Sequence, residues 1–193
     1  MWKQTIGVLR LLIVLTVLTG LIYPLAMTGV AQTIFPAQAN GSLAYVDNKP
    51  VGSLLIGQNF SDAKYFHGRP SAAGTDGYDA TSSSGSNLGP TSKKLMDGVK
   101  ENLDKVRTEN QLGEQAVVPS DLVLASGSGL DPDISPDGAY LQVERVASER
   151  HVASSAVKAL VDSHVQTRTV GLLGESRVNV LALNMALDKM GSK

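Results

Sequence analysis

An uncharged run from Leu11 to Ala31, LLIVLTVLTGLIYPLAMTGVA, limits this chain more than any other feature. At ~1.5 Å per residue, its 21 residues span about 31 Å as a helix, which matches a bilayer hydrocarbon core. Lys3 and Arg10 precede the run, and no charge follows until Asp47. By the positive-inside rule, residues 1–10 stay in the cytoplasm, residues 11–31 cross, and residues 32–193 form a soluble exoplasmic domain. Trp2 at one end, with Tyr23 and Phe35 toward the other, suits the two interfaces. The rival reading is a cleaved signal peptide, since AQA at Ala37–Ala39 satisfies the small-residue rule for a cleavage site. The apolar run is longer than the usual ~7–15 residues, which favours a retained anchor. The small pair Thr16 and Gly20, with Pro24, suits close packing on another helix or an ordinary lipid-facing anchor equally well.

Beyond its first 36 residues the chain has about 157 more, enough for one domain with its own core. The net charge is −1 and no long basic run occurs, so nucleic acid is not an expected partner. Cysteine is absent, which removes disulfides, zinc–thiolate sites and cysteine nucleophiles together.

Ser42–Ile56 reads as two short strands around the turn DNKP. Gly57–Pro90 is a long Gly/Ser-rich connection, and its bulky segment YFHGRPSA argues for a docked loop. Thr91–Asn110 reads as a helix capped by Thr91 or Ser92, with Leu95, Met96, Val99, Leu103 and Val106 on one face. Val117–Ala139 holds a short apolar run and then a turn-rich loop. Ser135-Pro136 starts a helix to about Arg150, and another fits Ser154 to about Val165. Arg177–Met190 reads as a final amphipathic helix. The order of elements predicts an α+β domain behind a single N-terminal transmembrane helix.

Most chemical motifs fail on inspection. SSSGSNLGPTS, Ser82–Ser92, looks like a phosphate loop, but Pro90 stands where a P-loop carries lysine. Its amides and hydroxyls could still form an anion nest before the following helix, although a structural loop is the stronger reading. Asp131, Asp133, Ser135 and Asp137 alternate like a calcium loop, yet Pro136 and Gln142 replace the required glycine and bidentate glutamate. A turn leading into a helix explains them better. SDAK and SAVK match Ser-x-x-Lys without its companion motifs. His67, His151 and His164 lack metal-ligand spacing; His67 reads as a hydrogen-bonded structural residue, and the other two as surface positions near helix ends. No metal is expected. Several glycines, Gly127 and Gly129 among them, are expected at positive φ or at close backbone approaches.

Four strings occur in order after the single span: YFHGRPSA (Tyr65–Ala72), SSSGSNLGPT (Ser82–Thr91), VPSDLVLASGSGLDPDISP (Val118–Pro136) and GESRVNVLALNMALD (Gly174–Asp188). Together they resemble the C subunit of the Kdp potassium-transporting ATPase over nearly the whole chain. One departure is Asp133, where the family usually has histidine after LDP. The resemblance implies a non-catalytic subunit in a bacterial inner membrane. Its partners would be a channel-like potassium subunit, a P-type ATPase subunit and a small single-span subunit. It further implies a catalytic chaperone that raises ATP affinity in the ATP-hydrolysing subunit, binding no cofactor tightly itself and meeting ATP through that subunit. The residues this suggests for nucleotide contact are Gln58, Ser84, Gly85, Ser86 and Asn87. Those suggested for partner docking or loop structure are His67, Arg69, Ser126, Gly127, Ser128, Gly129, Asp131, Arg177 and Asn179. Direct nucleotide contact conflicts with the topology above, because ATP is on the cytoplasmic side.

The residues themselves agree with an accessory role. One span and no TVGYG string cannot make a potassium pore, and no cytoplasmic domain is present to carry a P-type aspartyl nucleophile. The alternative is an anchored exoplasmic serine hydrolase. A subunit should purify with other membrane proteins, whereas a hydrolase should turn over an ester or amide alone.

Overall fold

The computed structural model describes residues 1–190. The chain divides into two units, residues 1–43 and the part from Ala44 onward.

The first unit is one long apolar helix with a short cap. Helix α1 (Trp2–Val17) runs through a π-helical turn (Leu18–Ile22) into α2 (Tyr23–Ile34). The whole stretch is 33 residues, and it is long and apolar enough to cross a membrane. It therefore extends beyond the 21-residue uncharged run at both ends. The π turn has an evident cause. Pro24 lacks an N–H and its ring crowds the carbonyl four residues back, at Gly20, so the ladder widens there. Thr19 and Thr28 return their hydroxyls to Leu15 O and Pro24 O at 2.7 and 2.8 Å, satisfying polar groups within the helix itself. Helix α3 (Pro36–Ala39) follows, and paired amides of Gln32 and Asn40 tie the joint at 3.3 and 3.2 Å.

Strands β1 (Leu43–Val46) and β2 (Lys49–Ser53) pair around Asp47 and Asn48. Both turn residues have positive φ, 48° and 61°, as a two-residue type I′ turn requires. The turn is thus shorter than DNKP, with Lys49 and Pro50 already in β2. From Leu54 to Ser92 the chain forms no helix or strand.

Helix α4 (Lys93–Glu109) begins at Ser92, whose hydroxyl accepts from Leu95 N at 3.4 Å. Its apolar face is only partly covered; Val106 packs on the core, while Met96 is exposed. A 3-10 turn (Ser120–Leu122) then precedes β3 (Asp133–Ile134). Helix α5 (Pro136–Arg150) starts as expected, with Ser135 Oγ accepting from Gly138 N at 2.9 Å. Asp121 reinforces this start by accepting from Ser135 N at 2.6 Å and from its hydroxyl at 3.1 Å. Helix α6 (Ser154–His164) runs directly into β4 (Val165–Gln166).

The final segment differs from expectation. Arg177–Asn179 is a strand, β5, and only Val180–Met190 is helical, as α7. β5 is the centre of a three-stranded antiparallel sheet, paired with β3 (Ile134 opposite Val178) and with β4 (Val165 opposite Val178). Asn179 ends the strand and opens the helix, its Oδ1 accepting from Ala182 N at 3.0 Å. Val178, Val157, Val161, Val146, Leu183 and Leu187 are fully buried between this sheet and helices α5, α6 and α7. The architecture is α+β, as the order of elements implies.

Candidate functional site

The core holds a loop. Phe66, from the long connection, is fully buried among the helices, and its burial brings backbone polar groups with it. Those groups must find partners. Asn184 on α7 supplies them in a reciprocal pair: its Oδ1 accepts from Phe66 N and its Nδ2 donates to Phe66 O, both at 2.9 Å. Gln142 on α5 treats the next residue alike, accepting from His67 N at 2.7 Å and donating to His67 O at 3.1 Å. Each side-chain amide thus replaces a neighbouring β-strand. Arg145 completes the clamp. It donates to Tyr65 O at 3.0 Å, to Ala63 O, to Gln142 Oε1 at 2.7 Å and to Asn110 Oδ1 at 3.0 Å. Gln142, Arg145 and Asn184 are buried, and burial lowers the Arg145 pKa. At the rim, Arg150 donates to Lys64 O at 2.8 Å and pairs with Asp188 at 2.7 Å, and lies over the Tyr65 ring.

The clamped loop presents His67 and Arg69 to a cleft of about 300 Å³, whose other lining includes Asn102, Lys105, Glu109 and Tyr78. His67 Nδ1 lies 3.3 Å from Glu109, and Nε2 lies 3.1 Å from Asp62 O. Burial and the nearby Arg145 guanidinium hold its pKa below the ordinary histidine value, against the pull of Asp62 and Glu109. Arg69 pairs with Asp131 at 2.9 Å. Tyr78 OH donates to Arg69 O at 2.5 Å, and burial, assisted by Asp131, pushes its pKa up to about 12. Tyr78 therefore stays a neutral donor.

The Gly/Ser loops close on one another. Ser84 N donates to Ser128 O at 3.0 Å, and Ser83 Oγ to the same carbonyl at 2.9 Å. Ser71 Oγ donates to Gly129 O at 2.6 Å. Gly129 has φ 68°, and a Cβ there would lie 2.6 Å from Ser84 O and 2.8 Å from Ala73 N. A Cβ on Gly85 would lie 2.7 Å from Gly127 O. Gly127 itself has open space and no positive φ, so its glycine is not required by either criterion. Ser126 is buried; Ser128 Oγ accepts from Leu130 N at 3.1 Å.

Asp131 and Asp133 link this loop pair to the sheet. Asp131 Oδ1 accepts from Asp133 N at 3.0 Å. Asp133 pairs with Arg177 at 3.0 Å and accepts from Asn179 Nδ2 at 3.1 Å, while Asn179 Nδ2 also donates to Leu54 O at 2.9 Å. Burial raises the Asp133 pKa, opposed by Asn179 and Arg177. Asp131 and Asp133 are thus engaged by arginines, the Asn179 side chain and a backbone amide, while Asp137 is exposed in the first turn of α5.

Of the residues suggested for docking or loop structure, His67, Arg69, Ser126–Gly129 and Asp131 lie in one belt of loops, whereas Arg177 and Asn179 lie in strand β5 and join that belt through Asp133. Gln58 is separately engaged, donating to Val51 O on β2 at 2.9 Å. Ser86 and Asn87 are exposed, and Asn87 has φ 51°. Sequence reasoning missed Gln142, Arg145 and Asn184. For two of them a signal was available: Gln142 lies at helical spacing from Ala139 and Val146, and Asn184 from Leu181 and Leu187; Arg145, whose helical neighbours are Leu141, Gln142, Ser148 and Glu149, carries no such mark.

These features define a class: a membrane-anchored α+β domain whose surface is shaped by loops clamped from within. A family model described as the K+-transporting ATPase, c chain, matches residues 5–189, apolar helix included. The chain is 58% identical over 194 residues to the potassium-transporting ATPase KdpC subunit of Bradyrhizobium diazoefficiens, covering 95% of each. It is 55% identical to that of Rhodopseudomonas palustris, covering 97% of this chain and 98% of the relative. Against that of Mycobacterium tuberculosis it is 52% identical, covering 98% and 100%. The chain belongs to the KdpC family.

Proposed function

We propose that this chain is the non-catalytic C subunit of an ATP-driven potassium-uptake complex. It docks by its loop belt on the partner subunits, supports their assembly and raises the ATP affinity of the ATP-hydrolysing subunit. The partners are the channel-like potassium subunit, the P-type ATPase subunit and the small single-span subunit. The domain lies on the exoplasmic side, because Lys3 and Arg10 precede the span with no charge after it before Asp47. Its effect on ATP is then indirect: docking outside favours one state of the pump, and linkage makes the coupling reciprocal.

One observation carries this reading. The loop that most resembles a phosphate cradle has its Ser84 amide and Ser83 hydroxyl turned onto the carbonyl of Ser128, and it contains no cation between Ser82 and Ser92. Such a loop offers shape to a protein, not charge to a triphosphate. Gln58, Ser84, Gly85, Ser86 and Asn87 are accordingly assigned to loop structure and partner contact. The hydroxyls of Ser71, Ser83, Ser84 and Ser128 are all engaged with backbone groups, which disfavours the serine-hydrolase alternative. Because cysteine is absent, a single cysteine at the exposed Ser84 or Ser128 can be tested with a membrane-impermeant maleimide on intact spheroplasts. Labelling from outside is expected. Labelling only after lysis would overturn the topology and restore direct nucleotide contact.

A further inference from the structure

Between β4 and β5 the chain projects a finger. Every residue from Gln166 to Glu175 is exposed. At its tip Val170, Leu172 and Leu173 expose 86%, 81% and 67% of their surface. The backbone there is closed by Thr169 N to Leu173 O at 2.8 Å and Leu173 N to Thr169 O at 3.0 Å. Gly171 and Gly174 take positive φ, and so does Val170, at 55°. A β-branched residue in that region is a true outlier, held only where surrounding structure over-determines it. The tip therefore combines two costs, exposed apolar surface and a strained valine, in one tightly hydrogen-bonded turn.

Resting on the subunit assignment above, we infer that this tip is a preformed anchor that inserts Val170, Leu172 and Leu173 into an apolar pocket on another subunit of the same complex. Three observations select that occupant. The tip has no Trp, Tyr or Phe, and Arg168 is neutralised by Glu175 at 2.6 Å. A bilayer-seeking loop would carry interfacial aromatics and unbalanced cations. Three side chains are also far too small a patch for a free-standing dimer, which buries on the order of 1,200 Å² or more. Such a patch is effective only where something else already holds the partners together, and the membrane span does so by raising effective concentration. Preorganisation removes the ordering cost that a flexible loop would incur on docking.

The test uses the full chain co-expressed with the other subunits. Benzoylphenylalanine in place of Leu172, irradiated in native membranes, is expected to give one discrete adduct with another chain of the complex. Adducts only with lipid or with a second copy would overturn the inference, as would no adduct while the wild type still purifies with its partners. If the wild type carries no partner through mild detergent, the subunit assignment itself fails, and this inference with it. The double substitution Leu172→Ser/Leu173→Ser leaves the closing backbone bonds intact. It is expected to speed dissociation of the complex in detergent by about tenfold or more, at an unchanged unfolding midpoint. An unchanged dissociation rate would refute the anchor.

Discussion

Asn184→Ala removes one side of the loop clamp, and its consequence can be worked out from the geometry. Asn184 is 1% exposed and Phe66 is fully buried. Alanine leaves both Phe66 N and Phe66 O without the partners they have at 2.9 Å. Each buried backbone group so orphaned costs about 1–3 kcal/mol. Two groups, with some relaxation toward water, give about 3 kcal/mol, against a total stability of about 5–15 kcal/mol for a domain. For a domain of this size, that loss lowers the unfolding midpoint by roughly 6–12 °C. Thermal unfolding of the detergent-solubilised chain measures it. Limited trypsinolysis gives a local readout, since cleavage after Lys64 should accelerate once the following loop loosens, while Arg69 is shielded by Pro70. Asn184→Leu restores volume but neither hydrogen bond, so it should not recover the midpoint. An unchanged midpoint for alanine, or full recovery with leucine, would mean that the residue acts by packing and that the clamp argument is wrong.

Gly129→Val should destabilise the loop pair by several kcal/mol in order of magnitude, through strain at positive φ and collision with Ser84 O, whereas Gly127→Ala should be nearly silent; urea midpoints separate them. His67 titrates in the fold below its unfolded value, so on acidification the unfolded chain takes the proton first. Its contribution to stability is whole above about pH 6.5 and falls as the pH drops toward the folded pKa; His67→Gln should flatten urea midpoints measured between pH 7 and 5. Asp133 titrates in the fold above its unfolded value, so it favours the fold below about pH 3.8 and loses that contribution as pH rises through its folded pKa. Asp133→Asn keeps an acceptor for Asn179 and sheds a half-buried charge whose partner Arg177 is 42% exposed; a change within about 1 kcal/mol is expected at pH 7, and a loss well beyond that would mean that the ion pair dominates.

Local chemistry was legible where it acts locally. Ser92 and Ser135-Pro136 announced their helices because capping needs only the next three residues. The same is true of Asp47-Asn48, although the string DNKP suggests a turn of four residues and the structure has two. Arg177–Asn179 looks helical in sequence because Val178 and Leu181 keep a spacing of three. What makes it a strand is Ile134 on one side and Val165 on the other, and no local pattern carries those pairings. The belt of loops was visible as candidate residues but not as a clamp, since the groups that fix it sit on α5 and α7, more than 70 residues further along. Gly127 and Gly129 look alike in the string SGSG; only the positions of Ser84 and Ala73 tell them apart.

The π turn at Leu18–Ile22 has a consequence for how the span can be read by a neighbour. One extra residue in a helix turns everything beyond it by about 100°. The half before Leu18 and the half after Ile22 are therefore out of phase, and no single straight stripe of side chains runs the length of the anchor. A neighbouring helix can follow one half or the other, or must itself bend to follow both. Deleting one residue within the turn would rotate the two halves back into register, leaving composition and hydrophobic length almost untouched while changing which side chains face together.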